Sequence, residues 1–242
     1  MKRIFERVEK NIDHLVEQDV LWSQCVSDEE MQSAKNGKID LHLTQTRKIP
    51  EDWLPSSVKG LKILCLAGAG GQQAPILSMA GADVTVIDLS EKMLEKDRLM
   101  AEKYGLDIRC VHGNMCSMDC FADNTFDMIV NPASLMYVPD VSVVFQECSR
   151  VLKKSGCIIL AAPAPVVYLC DWVEEGGYYK ACNRMPYRSY EHDGQGEWIE
   201  FGHTMEEYLG GLLAAGFCIS GYLEEQLEDI TELYFLVKAN KR

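Results

Sequence analysis

No apolar run in this sequence approaches the length of a membrane span, and none of its ten cysteines forms a Cys-x-x-Cys pair. The first absence argues against a spanning helix. The second removes the usual zinc and dithiol signatures. Cys110, Cys116 and Cys120 are close in sequence, but their spacings match no zinc pattern, so no metal is expected. No segment repeats and none is of low complexity, which argues against a solenoid. Basic side chains are scarce. There are 24 Lys and Arg against 37 Asp and Glu, for a net charge of -13 and a pI near 4.8. Such a surface repels phosphate backbones and anionic lipid, so neither nucleic acid nor a membrane is expected as a partner. Residues 1–11 are charged and hold no apolar core of a secretory signal. With thiols scattered through apolar runs, the expected compartment is a reducing cytoplasm.

What is present is a chain of 242 residues, 47% hydrophobic, enough for one α/β domain with a small cap. Phe5, Val8, Ile12, Leu15, Val16 and Val20 recur at helical spacing and predict an amphipathic helix. A polar stretch runs on through Lys38. An irregular lead-in follows, holding Leu41–Thr44 and the Pro- and Trp-bearing segment 49–55. From Leu61 the rhythm becomes strand, turn, helix. Strands are predicted at 61–67, 83–88, 107–112, 125–131 and 157–162. Helices are predicted at 72–80, at 90–104 with Ser90 as cap and Gly105 as stop, and at 141–152, opened by Pro139-Asp140 and ended by Ser155-Gly156. Residues 163–203 break the rhythm, with paired glycines and many aromatics. Thr204-Met205-Glu206-Glu207 is a capping-box pattern opening a helix to about Ala215. Strands at 216–223 and 231–239 should close the chain as an antiparallel hairpin. The expected fold is α/β: a Rossmann-like, doubly wound sheet of seven strands, mostly parallel with an antiparallel C-terminal hairpin, plus a helical and irregular N-terminal cap. The expected division is a cap at 1–57 and a main domain at 58–242, with 163–203 as an insertion.

Four features fall at the carboxyl edge of that sheet, where doubly wound folds bind ligands. The loop Gly68-Ala69-Gly70-Gly71 follows the first strand, and a helix begins beside it. Asp88 ends the second strand, placed to accept hydrogen bonds from both hydroxyls of a ribose. Gly113-Asn114-Met115 follows the third strand, and Asn131-Pro132-Ala133-Ser134 the fourth. This describes a nucleotide-type site for either a nicotinamide or a methyl-donor cofactor. Counting from Gly68, the third position of a G-x-G-x-x-G pattern holds Gln73, which weakens the nicotinamide alternative.

The stretch 62–162 resembles the class I S-adenosylmethionine-dependent methyltransferases of small-molecule type. ILCLAGAGG is similar to their glycine motif, VTVIDLSEKML to their ribose motif and CVHGNM to their adenine-contact motif. FDMIVNPASLMYVPD resembles their active-site entrance, and QECSRVLKKSGCIIL their helix-to-strand turn. FGHTMEEYLGGLLAAGF is similar to their late helix. The resemblance implies S-adenosylmethionine as cofactor and a small-molecule acceptor, with an oxidoreductase or a non-catalytic cofactor-binding protein as the other readings of the same fold. It further implies that Gly68, Ala69 and Gly70 touch the methionine moiety and that Asp88 binds the ribose. Leu89 and Met93 would pack near the adenine, Asn114 and Met115 would hold its edge, and Asn131 and Ala133 would lie near the sulfonium. Asn114 stands where the family often has Asp, and its amide oxygen still accepts a hydrogen bond.

Methyl transfer is a displacement at an activated carbon, so the protein chiefly aligns and desolvates the reactants. No single catalytic motif is expected, and a base is needed only for a protonated acceptor. Tyr137, His192 and His203 are the candidates; His203 also precedes a helix cap, where a structural role competes. Residues 1–57 and 163–203 are the expected acceptor walls, with Trp22, Tyr137, Tyr168, Trp172, Tyr178, Tyr179 and Tyr190 as aromatic linings, and His42 and Arg47 placed to close over the site.

Overall fold

In a computed structural model, residues 2–44, 46–189, 199–227 and 231–242 are described. The chain opens with helices α1 (Lys2–Glu17) and α2 (Asp28–Lys35). Ser27 caps α2 in a reciprocal box with Glu30. The alternating core follows: β1 (Lys62–Leu66), α3 (Gln73–Met79), β2 (Asp83–Asp88), α4 (Glu91–Tyr104), β3 (Ile108–His112), β4 (Phe126–Asn131), α5 (Val141–Val151) and β5 (Leu152–Pro163). Beyond it lie a single turn α6 (Val166–Leu169) and two small ribbons. One is β6 (Cys170–Val173) with β7 (Tyr178–Ala181), the other β8 (Tyr187–Arg188) with β9 (Phe201–Gly202). A π-turn at Glu206–Gly210 leads into α7 (Gly211–Ala214), and β10 (Phe217–Leu227) and β11 (Thr231–Lys241) close the fold.

The seven main strands lie in the order β3-β2-β1-β4-β5-β11-β10. β1, β2, β3, β4 and β5 run parallel, and β11 runs antiparallel between β5 and β10. The expected seven-stranded, mostly parallel sheet with a C-terminal hairpin is what forms.

β1 sits at the centre because both of its faces are apolar. Ile63, Leu64, Cys65 and Leu66 are all fully buried. With a side-chain period of two, they serve two cores. Leu64 and Leu66 pack with Phe145, Tyr208 and Leu212 on one side. Ile63 and Cys65 pack with Leu77, Leu94, Leu41 and Trp53 on the other. Each such side chain contributes roughly 1.5–3 kcal/mol by leaving water. A third, smaller cluster joins Val8 and Ile12 of α1 to Met93, Ile199 and Phe201. It brings the N-terminal helix over the carboxyl edge of the sheet.

The structure corrects one local expectation. Ser155-Gly156 does not end the helix. α5 stops at Val151 and β5 begins at Leu152, so the pair lies inside the strand. Ser155 has φ +61°, and the register with β4 jumps between Phe126 and Met128. A Cβ on Gly156 would stand 2.9 Å from the Lys153 carbonyl and 3.0 Å from that of Asp127. The pair is therefore an irregularity of the ladder, of the kind a bulge makes. The capping box at Thr204 forms, with the Glu207 amide donating to Thr204 Oγ1 at 3.1 Å and the Thr204 amide to Glu207 Oε2 at 2.7 Å.

Candidate active site

The chain leaves β1 through a run of left-handed residues. Ala67 and Ala69 both have φ +51°, and Gly70 and Gly71 have φ +57° and +73°. Left-handed alanine costs about 1–2 kcal/mol, and such strain collects at functional sites. The two glycines have no room for a side chain. A Cβ at Gly70 would meet Met93 Sδ at 2.7 Å, and one at Gly71 would meet Cys25 Sγ at 2.6 Å.

Behind the loop stands Asp97 of α4, fully buried. Its Oδ1 accepts the Gly71 amide at 2.8 Å, while its Oδ2 has no partner among the described residues. Burial pushes this carboxyl up to about 8, against the opposing pull of the Gly71 amide.

Asp88 ends β2 as expected, and Gly113 donates its amide back to the Asp88 carbonyl at 2.9 Å. Asp88 Oδ1 accepts the Ser90 amide at 2.8 Å. Burial pushes its carboxyl up to about 7, the Ser90 amide opposing and Asp13 adding to the rise. Ser90 caps α4 by accepting the Met93 amide at 3.1 Å, and donates its hydroxyl to Asp13 of α1 at 2.5 Å. The turn after β2 is thereby clasped to the N-terminal helix.

A cavity of about 690 Å³ runs along this edge, within the range of small-molecule sites. It is lined by Asp88, Leu89, Met93, Asn114 and Met115, and by Ala67, Ala69 and Ala133. The lining also holds His42, Leu43, Tyr137, Glu200 and Tyr234. Gly68, Gly70 and Asn131 stand beside the cavity rather than on its wall. Asn131 is buried, donating to the Leu66 carbonyl at 2.6 Å and to Ser134 Oγ at 2.8 Å, so it ties the β1 turn to the β4 turn. Asn114 Oδ1 accepts the Cys116 amide at 2.8 Å, fixing the loop after β3.

The N-terminal segment is laced onto the same loops. Val26 donates to the Gly71 carbonyl at 3.0 Å and Ala133 to the Leu43 carbonyl at 3.0 Å. Gln72 donates to the carbonyls of Trp22 and Gln24, and Gln73 to that of His42 at 2.8 Å.

The family model for the methyltransferase domain matches residues 64–160. An uncharacterized methyltransferase of Bacillus subtilis, YbaJ, is 41% identical over 224 residues, covering 88% of each chain. The chain belongs to the methyltransferase-domain family. The cofactor of that family is S-adenosylmethionine. Solved structures share the fold at lower identity. One is an S-adenosylmethionine-dependent methyltransferase from Mesorhizobium loti, 22% identical with TM-score 0.65, over 78% of this chain and 94% of that one. Another is a magnesium protoporphyrin IX methyltransferase from Synechocystis PCC 6803 with bound S-adenosylhomocysteine, 17% identical with TM-score 0.54, over 76% of this chain and 75% of that one.

In this methyltransferase the base candidates separate. Tyr137 lines the cavity. His203 does not reach the wall: it is buried, and its Nε2 lies 3.0 Å from the Val138 carbonyl. Burial lowers its imidazole, with Glu207 opposing. His192 and Tyr190 lie outside the described residues. Of the aromatic linings, Trp22 and Tyr137 face the cavity. Tyr168 is buried, stacking on Tyr187 with its hydroxyl 3.2 Å from Glu200. Trp172, Tyr178 and Tyr179 are exposed on the β6–β7 ribbon. His42 lines the cavity, while Arg47 is exposed.

Reasoning from sequence missed Ala67, Gln73, Asp97 and Glu200. Asp97 left a signal: it lies four residues after Met93 and three before Met100, on the apolar stripe of α4. An acid on a buried face needs a partner. Glu200 left none, since its neighbours show no period.

Proposed function

We propose that this methyltransferase uses the cavity to bring S-adenosylmethionine and a small-molecule acceptor together, with Asp88 as the ribose ligand. The observation that carries the reading is a buried carboxyl, Asp88, on the wall of one cavity whose lining also holds Ala69 of the glycine loop and the aromatics Trp22, Tyr137 and Tyr234. The residues fit the cofactor. Asp88 has one oxygen held by Ser90 and further acceptor capacity for the ribose hydroxyls. Leu89, Met93 and Met115 offer apolar surface for the adenine, and Asn114 its polar edge. Ala69 presents the loop to the methionine end, while Gly68 and Gly70 let the backbone close in without side chains. Asn131 acts through Leu66 and Ser134, holding the two turns that flank the reacting centre, and Ala133 keeps that wall small. When bound, the cofactor supplies a methyl group on a sulfonium leaving group.

What remains for the chain is to orient the acceptor and keep water out. We assign that work to residues 1–57 and 163–203 as a cap and an insertion over the main domain at 58–242. His42, Leu43, Tyr137 and Glu200 on the cavity wall support the assignment. The net charge of -13 supports a metabolite rather than a nucleic acid as acceptor. Ten free cysteines support a reducing cytoplasm as the working compartment; among the described residues no helix is long and apolar enough to cross a membrane. The direct test is transfer of a labelled methyl group from S-adenosylmethionine into fractionated metabolite extracts. Label should move to a small, organic-extractable or cationic product. Absence of transfer with intact cofactor binding would leave a binding protein and refute the enzymatic reading.

A further inference from the structure

The cavity's charge is one-sided. Its described lining holds no lysine or arginine but four carboxylates, those of Glu30, Asp40, Asp88 and Glu200. Residues 1, 45, 190–198 and 228–230 contain no lysine or arginine in sequence either. Three of the four carboxylates have evident work. Asp88 is the proposed ribose ligand. Asp40 is paired with Lys38 at 3.2 Å and Lys48 at 3.1 Å. Glu30 accepts both the amide and the hydroxyl of Ser27 at the start of α2.

Glu200 remains. Among the described residues its carboxylate accepts one hydrogen bond, from the Tyr168 hydroxyl at 3.2 Å, and no salt bridge reaches it. It lines the cavity just before β9, with Tyr137 and Tyr234 also in the lining. After burial, its negative charge is the next cause that raises the phenols of Tyr137, Tyr168 and Tyr234, so all three rings lie within its field. A partly buried carboxylate without a cation is costly unless a ligand supplies one. Phenol rings around a carboxylate offer an ammonium both charge pairing and cation–π contact. A second observation points the same way. Gln73 is among the lining residues, and its buried Oε1 has no donor among the described residues. The wall asks for N–H donors and positive charge, and offers no cation to an anion.

Building on the methyl-transfer reading, we propose that the acceptor carries a basic nitrogen, protonated in solution, which Glu200 receives between the rings of Tyr137 and Tyr234, with Tyr168 behind it holding the carboxylate. Acids and phosphorylated metabolites are excluded as acceptors by the same wall.

The test is calorimetric titration of the full chain with benzylamine (as benzylammonium at neutral pH), benzyl alcohol and phenylacetate, with and without saturating S-adenosylhomocysteine. The ammonium should bind and phenylacetate should not, with benzyl alcohol weaker by about tenfold or more. Glu200→Gln should lose about tenfold in ammonium affinity and Glu200→Asp should restore part of it, while both keep wild-type affinity for S-adenosylhomocysteine, which shows they fold. Equal binding of ammonium and alcohol, binding of phenylacetate, or no effect of Glu200→Gln would overturn the proposal. So would a loss in Glu200→Gln confined to S-adenosylmethionine over S-adenosylhomocysteine, which would assign Glu200 to the sulfonium. Failure of the wild type to bind S-adenosylhomocysteine would refute the methyl-donor reading alone, since the ammonium arm is read without it.

Discussion

Asp88 and Asp97 are two acids of one site given different tasks by their surroundings. Asp88 faces the cavity and Asp97 faces the back of the glycine loop. Burial raises both carboxyls, to about 7 and about 8. On the proposed ribose role, the hydroxyls would donate to the ionised form of Asp88, so that binding would favour loss of its proton. Affinity for S-adenosylhomocysteine should therefore rise as pH goes from 6 to 8 and level off above, and Asp88→Asn should flatten that profile; a flat wild-type profile would count against the ribose role. Asp97 bears on stability. Its neutral form is favoured in the fold, so the folded state holds a proton that the unfolded chain has released above the ordinary carboxyl range. Stability from this group is highest at low pH, falls as pH rises toward about 8, and is constant above. Thermal melts of Asp97→Asn should lose that slope while keeping the Gly71 hydrogen bond. Asp97→Leu, which offers no acceptor, should destabilise by about 1–3 kcal/mol and weaken cofactor binding. Equal behaviour of the two variants would contradict a role through the Gly71 amide.

At the level of elements, α4 shows how sequence and site are joined. Ser90 caps the helix, Gly105 ends it in the left-handed region, and the helix presents Met93 and Asp97 to the loop after β1. Ser90 also holds Asp13 of α1. Replacing it with alanine should cost about 1 kcal/mol in denaturant unfolding, the usual worth of such a cap, and loosen the Asp88 turn enough to weaken cofactor binding. An unchanged midpoint and affinity would deny the clasp. Ser90, Gly105 and the strand ending at Asp88 were legible because each obeys a local rule. The parallel pairing of the core strands followed from the βα rhythm. What was not legible has physical causes. Ser155 and Gly156 read as a helix stop because a Ser-Gly pair after an apolar helical run ends helices more often than it bulges strands; here only Ser155 is left-handed. The β6–β7 ribbon leaves most of its side chains in water, so it has no burial period to detect. Ala67 and Ala69 carry left-handed strain that only the packing of the loop imposes. Asp97 was visible as an acid on an apolar stripe, yet its partner is a backbone amide 26 residues away. Glu200 acquires meaning only when β9 is laid beside the turn after β4.

For the whole molecule, the N-terminal segment, the central sheet and the C-terminal hairpin close on one another. Trp53 packs where a Cβ on Gly221 of β10 would come within 2.6 Å of its ring, and α1 covers the turn at Asp88. The cavity thus depends on segments from both ends of the chain, with the β1 loop between them. The central claim is that this cavity is a methyl-donor site built on Asp88. Its most direct measurement is calorimetric titration of wild type and Asp88→Ala with S-adenosylhomocysteine and, in parallel, with NADH. The account requires S-adenosylhomocysteine to bind the wild type with one site per chain, Asp88→Ala to lose about tenfold or more through the missing hydrogen bonds to a charged group, and NADH to give no heat of binding. Binding of NADH alone, or unchanged affinity in Asp88→Ala, would contradict it.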